Sequence, residues 1–208
     1  MSQELTIALT KGRVLADELE LLSKAGVEPL EDPTSSRKLI FDTNQADIKI
    51  MVLRGMDVAT YVDHGIADVG MSGKDVLLEH AGTGYYEPLD LGLGRCSLMV
   101  AGLVDEKELP ARLRIATKFT NTAKRYYAER GVQVDIIKLY GAMELAPVTG
   151  LAHRIVDIVE TGNTLKANGL EAMELITEIS TRLIVNTTAY KTKFEQVRRL
   201  IESLELAL

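Results

Sequence analysis

Short apolar runs alternate with patterns of helical period almost from end to end of the chain. Leu5–Leu9 predicts a buried strand. After a Lys11-Gly12-Arg13 turn, Leu15, Leu19 and Leu22 follow at i, i+4 and i+7, one face of a helix that Gly26 stops. Arg37–Phe41 and Ile48–Leu53 are strand-like, Asp57 is placed to cap a short helix to about His64, Ala67–Met71 predicts a strand and Asp75–Ala81 a helix. Tyr85–Val104 is mostly strand, interrupted at Gly92 and Gly94, and the chain turns polar near Glu106. A second series follows. Leu113–Thr117 reads as a strand, Asn121–Arg130 as a helix and Val134–Leu139 as a strand. Leu145–His153 reads as a loop with a helical turn, Arg154–Val159 as a strand, and Glu171–Ile179 and Arg182–Thr187 as two more. From Lys191 a last helix runs to about Leu206 with Phe194, Val197, Leu200, Ile201 and Leu204 on one stripe.

Such alternation implies mostly parallel sheets covered by helices, and two series of roughly equal length imply two lobes. Periodicity leaves open whether the last helix packs on the second lobe or crosses back to the first. No internal repeat or low-complexity tract interrupts the 208 residues.

Composition narrows the picture. With 46% hydrophobic and 26% charged residues the chain can bury a core, which argues against disorder. The net charge of −6 argues against nucleic acid, which needs a basic surface, but leaves room for small phosphorylated ligands held by a few placed cations. The lone Cys96 allows no internal disulfide and points to a reducing, cytoplasmic compartment. No charge-free run approaches the roughly 18 residues of a membrane span, and nothing at the N-terminus reads as a signal peptide. His64, His80 and His153 lack metal-ligand spacing. Cys96 reads as a buried structural thiol, and Tyr126 and Tyr127 as packing residues.

The most chemistry lies in Arg154–Leu165 (RIVDIVETGNTL). A strand carries Asp157, and its end runs into Thr161-Gly162-Asn163-Thr164. A loop at the carboxyl end of a parallel strand opens where α/β proteins hold ligands. Gly162 allows the tight turn that aims successive N–H groups at an anion, Thr161 and Thr164 add hydroxyls, and a helix starting near Thr164 adds its positive end. Asp157 is spaced to accept hydrogen bonds from ribose hydroxyls. The plain alternative is a strand, a turn and a threonine cap. The arrangement resembles the phosphoribosyl diphosphate (PRPP) signature of phosphoribosyltransferases, with one departure: a single acid stands at Val156-Asp157 where the commonest of those enzymes have two. Further anion-friendly positions are Lys11-Gly12-Arg13, Arg37-Lys38, Arg54 and Ser72-Gly73-Lys74, basic or small residues at strand-end turns of an acidic chain.

Together LTIALTKGR (5–13), EDPTSSRKLIF (31–41), RGMDVATYVDHGIADVGMSGKD (54–75), KLYGAMELAP (138–147) and RIVDIVETGNTLKANGL (154–170) resemble the short form of the ATP phosphoribosyltransferases, which open histidine biosynthesis. The resemblance implies an α/β, two-lobed type II periplasmic-binding-protein-like fold with a ligand cleft between the lobes. Residues 1–94 and 186–208 would form one lobe and 95–185 the other, so that the last helix returns to the first. It implies attack of N1 of ATP on PRPP with Mg²⁺ on the diphosphate. Arg13 and Arg37 would meet the leaving pyrophosphate. Asp157, Thr161, Gly162, Asn163, Thr164 and Glu144 would serve PRPP, and Lys11, Gly12, Arg54, Ser72, Gly73 and Lys74 would serve ATP. It also implies a homodimer within a hetero-oligomer whose regulatory subunit resembles a histidyl-tRNA synthetase. A salvage transferase acting on a free base, and a module that only binds a small anion, are the rival readings.

Overall fold

The computed structural model describes residues 4–80, 82–105 and 109–208. The predicted helix end at Ala81 and the polar turn at Glu106 lie outside them. The chain divides into two compact units, residues 1–94 with 180–208, and residues 95–179.

The first unit begins with β1 (Leu5–Lys11), α1 (Leu15–Lys24), β2 (Ile40–Asp42), β3 (Ile48–Arg54), α2 (Gly55–Asp63), β4 (Val69–Gly73), α3 (Lys74–His80) and β5 (Tyr85–Asp90). The second unit holds β6 (Cys96–Leu103), β7 (Leu113–Thr117), α4 (Thr120–Glu129), β8 (Val134–Lys138), α5 (Leu145–Val148), β9 (Arg154–Val159), α6 (Asn163–Ala167) and β10 (Leu170–Ile179). The chain then returns to the first unit through β11 (Thr181–Asn186), α7 (Thr187–Thr192) and α8 (Phe194–Ala207).

The first sheet has the order β2-β3-β1-β4-β11-β5 and the second β10-β6-β9-β7-β8. Neither is mostly parallel, as the alternation had suggested. In the first, β1 runs parallel to β3 and β4, while β2 and β11 pair antiparallel. In the second, β7 runs parallel to β8 and β9, while β6 is antiparallel to β9 and β10. The long strands that carry the chain out and back enter their sheets against the parallel core. Residues 180–185, expected in the second lobe, belong with the first unit, because β11 is hydrogen-bonded between β4 and β5.

The period-2 alternation of β1 splits its side chains between two cores. Leu5, Ile7 and Leu9 join Leu15, Leu22, Val197, Leu200 and Leu204 under α1 and α8, while Ala8 joins Val58, Val62, Val76 and Ile184 under α2 and α3. A Cβ on Gly70 would stand 2.8 Å from Val62 Cγ2, so only glycine lets α2 approach β4 this closely. The predicted last helix is two helices. Asn186 caps α7 by accepting from the Thr188 and Ala189 N–H groups, and the backbone breaks at Lys193 (φ −120°) before α8. That break sends the Lys193 ammonium to both oxygens of the buried Asp68 (2.7 and 2.8 Å) and to Glu4 O. The returning chain is thereby tied to the start of β1.

In the second unit Ala101, Ala116, Met143, Ala146, Ile155, Leu165 and Leu170 form one core. On α4, Tyr126 and Tyr127 are buried edge to face, and Tyr126 donates to Glu174 at 2.7 Å. Burial pushes the Tyr127 hydroxyl well above the ordinary tyrosine range. Cys96 is half-buried at the start of β6, not fully enclosed. The short strand expected from Arg37 is confined to β2, and Asp57 lies within the first turn of α2, whose cap position is Arg54.

Candidate functional site

In the first unit the strand ends gather the expected residues. Lys11 and Arg54 are register partners at the carboxyl ends of β1 and β3. β2 runs antiparallel to β3, pairing Ile40 with Met51, and Leu39 O accepts from Val52 N at 2.8 Å. Carrying that register on brings Arg37 toward the same end as Arg54. Ser72 and Gly73 close β4, the other neighbour of β1. Lys11, Arg54, Ser72 and Gly73 thus lie at the carboxyl ends of the adjacent strands β3, β1 and β4.

Local chemistry explains each turn. Gly12 adopts φ +130°, a conformation only glycine takes easily, so the chain reverses between two exposed cationic side chains. Arg54 is extended (φ −66°, ψ 144°) and leads directly into the first turn of α2. Thr10 Oγ1 donates to Met71 O at 3.0 Å, stitching the end of β1 to that of β4. Ser72 is fully buried, and its hydroxyl has no hydrogen-bond partner among the described residues. Lys74, expected at the turn that serves ATP, has its ammonium 2.6 Å from Glu87, which also faces Arg182. Arg37 follows a polar turn in which Thr34 donates to Asp32 through its hydroxyl (2.7 Å) and its N–H (2.8 Å), and these bonds hold the Asp32 carboxyl below the usual range.

In the second unit β7 and β9 end side by side. Thr117 Oγ1 donates to Val156 O at 2.6 Å and accepts from Phe119 N at 2.9 Å, so the loop after β7 is clamped to β9. Lys118, next in the chain, reaches within 3.9 Å of the half-buried Asp157. Beyond β9, Gly162 is left-handed (φ +73°) and opens α6, and the Asn163 N–H points to Thr161 Oγ1 at 3.4 Å. A cavity of about 360 Å³ is lined by Val159, Glu160, Thr161, Gly162, Leu165, Lys166, Leu170, Glu171 and Ala172. Asp157, Asn163 and Thr164 do not line it. Glu144 sits half-buried at the start of α5.

Two residues at these turns escaped the sequence reading. Lys118 follows a strand end like the other cations, a signal that was present. Glu18 is a fully buried acid on the apolar stripe between Leu15 and Leu22, and its Oε2 accepts the Thr10 N–H at 2.9 Å. An acid in that stripe was legible as an anomaly, but its partner was not. Of the histidines, His80 is 3.2 Å from Asp63, and His153 Nδ1 accepts the Arg114 N–H. Among the described residues no three His, Cys, Asp or Glu side chains are grouped to hold a metal ion, and no helix is long and apolar enough to cross a membrane.

Two α/β units, each built on a mixed sheet flanked by helices, define a two-lobed protein of the type II periplasmic-binding-protein-like class. The probable amino-acid ABC transporter extracellular-binding protein of Bacillus subtilis shares that fold, with a TM-score of 0.56 at 10% identity over 99% of this chain and 91% of that one. The family model HisG: ATP phosphoribosyltransferase matches residues 54–206. The ATP phosphoribosyltransferase of Saccharophagus degradans is 60% identical over all of this chain and 97% of its own length. The ATP phosphoribosyl transferase (HisG:HisZ) complex from Thermotoga maritima contains a chain with a TM-score of 0.87 at 37% identity, covering 98% of each. The chain belongs to the ATP phosphoribosyltransferase family, and its 208 residues fit the short form. It is a pentosyl-transferring enzyme of the first step of histidine biosynthesis, and the family uses a divalent metal ion.

Proposed function

We propose that the enzyme joins N1 of the adenine of ATP to C1 of the ribose of PRPP, releasing pyrophosphate, with the two units taking different parts of the task. Arg13 and Arg37 meet the departing pyrophosphate. Lys11, Gly12, Arg54, Ser72 and Gly73 serve ATP, and Lys74 shapes that turn through its pairing with Glu87. Thr161, Gly162, Asn163 and Thr164 hold the 5-phosphate. Asp157 accepts from ribose hydroxyls, and Glu144 faces the ribose or the adenine amine. The observation that carries this reading is the turn after β9: Asp157 on the strand, then a left-handed Gly162 opening a helix between two threonines.

The chemistry fits these groups. As the N1–C1 bond forms, the C1–O bond to pyrophosphate breaks and its electron pair leaves with the diphosphate. Adenine N1 carries no proton, so no general base is required at the attacking atom. Charge grows on the leaving group, where guanidinium donors stabilise it most. The 5-phosphate keeps its charge throughout, so neutral N–H and hydroxyl donors are enough to hold it in place. Mg²⁺ is the proposed ion, and when bound to the diphosphate it neutralises part of its charge. The ion is proposed to be carried mainly on the oxygens of the substrate diphosphate, with Asp157 beside Lys118 turned to the ribose.

By analogy with the Thermotoga HisG:HisZ complex, the chain is proposed to assemble with a second, regulatory subunit; that this subunit resembles a histidyl-tRNA synthetase, that the chain dimerises within the assembly and that it works in the cytoplasm are proposed from the family resemblance alone. Purified protein supplied with ATP, PRPP and Mg²⁺ is expected to yield the N1-ribosylated adenine chromophore and pyrophosphate, and chelation of the ion to stop it. Absence of product both with and without the regulatory subunit overturns the proposal.

A further inference from the structure

Glu18 has no part in the roles above, yet both bonds that flank the Lys11–Arg13 turn end on it. Its Oε2 accepts the Thr10 N–H at 2.9 Å, just before the turn, and its own N–H donates to Val14 O at 2.9 Å, just after it. Inside that bracket Gly12 O accepts from Leu15 N at 3.2 Å. Thr10 passes the restraint on. Its hydroxyl holds Met71 O, one residue before Ser72. Its methyl lies 3.3 Å from where a Cβ on Gly55 would stand, one residue after Arg54. One carboxyl is therefore linked through one threonine to the turns that present Lys11, Arg13, Arg54 and Ser72.

The side chain is expensive to keep where it is. Glu18 is completely buried, and its Oε1 has no hydrogen-bond partner among the described residues. An apolar residue of the same length would pack without stranding a polar atom. What an apolar residue lacks is an acceptor for the Thr10 N–H. Burial also pushes the Glu18 carboxyl well above its usual range, which disfavours negative charge beneath a turn built for anions.

We infer that Glu18 is a positioning residue for the transfer reaction: by accepting the Thr10 N–H it fixes the Lys11–Arg13 turn in the pose from which Arg13 meets the departing diphosphate. This rests on the role proposed for Arg13.

Glu18→Gln keeps an acceptor oxygen, and Glu18→Met keeps the length without one. Steady-state kinetics, run where circular dichroism shows each variant folded, should find Glu18→Met reduced about 10- to 100-fold in kcat, the range expected for a misplaced catalytic group. Glu18→Gln should stay close to the parent. If the methionine variant does not fold, Glu18→Asp replaces it; its shorter reach withdraws the acceptor and predicts the same loss. Calorimetric titration with inorganic pyrophosphate reads the turn without any acceptor substrate, and affinity should fall in the methionine or aspartate variant and hold in the glutamine one. A methionine variant equal to the parent in both measurements, or a glutamine variant as impaired as the methionine one, overturns the inference. Retention of this pyrophosphate pattern in a protein that forms no ribosylated ATP would instead sink the functional reading and leave Glu18 in place.

Discussion

The turn after β1 and the turn after β9 are built to the same local plan and differ in almost everything that surrounds them. Each follows a strand inside a sheet, reverses at a glycine with positive φ and opens a helix. The first carries two cations, opens a helix of 10 residues and is braced from beneath by a buried carboxyl. The second carries hydroxyl and amide groups, opens a helix of five residues, and has an acid half-buried on the strand before it. A turn that must stabilise charge appearing in a transition state needs strong donors held still. A turn that grips a phosphate whose charge never changes needs only N–H and hydroxyl groups. On the proposed roles, the contrast in bracing follows the contrast in task.

Three measurements sharpen or break this contrast. The largest effect is expected at the cations: Arg13→Ala or Arg37→Ala should lower kcat by about 10²–10³-fold with little change in Tm, because both side chains are exposed. Unfolding of either variant would make that arginine structural and remove the distinction. Next is the brace. Glu18 has a folded-state pKa raised by burial, so its stabilising contribution is complete below the ordinary carboxylate range and is lost as pH rises toward the folded-state value. Across that window the parent should lose up to about 1.4 kcal/mol per pH unit relative to Glu18→Gln, seen as diverging chemical-denaturation midpoints. Parallel pH profiles would mean that the carboxyl is not held neutral. The smallest effect belongs to the second turn. Gly162→Ala meets no close atom, the nearest being Val159 Cγ1 at 4.0 Å, so only the left-handed backbone opposes it. A cost of about 1–2 kcal/mol should appear mainly as a rise of roughly tenfold in KM for PRPP, with kcat less affected. A fall in kcat matching that of Arg13→Ala would erase the difference in role.

Legibility followed the range of the interactions concerned. The Thr161–Thr164 turn, the Lys11–Arg13 turn and helix α1 were read correctly as local structure because glycine conformation, capping and periodicity act within a few residues. The register partnership of Lys11 with Arg54 was not readable, since it depends on β3 pairing with β1 across the sheet. Nor was the pairing of Lys74 with Glu87, 13 positions away. Lys118 meets Asp157 across two neighbouring strands 39 residues apart in sequence, a contact set by the register of β7 on β9. The last helix showed its apolar stripe but not its break, because the break is held by Lys193 reaching Asp68, 125 positions earlier.

By itself the sequence determined the alternation of strands and helices, the two-lobed class, the family and the two turns, all of which rest on short-range chemistry or on quoted motifs. Only the tertiary structure decided that both sheets are mixed, that β11 enters the first sheet between β4 and β5, and that a buried glutamate accepts the N–H just before the Lys11–Arg13 turn. Those outcomes depend on which backbone donors find acceptors across the fold. A part-buried N–H such as that of Thr10 is satisfied by whatever the folded chain brings to it, and no local pattern names the partner.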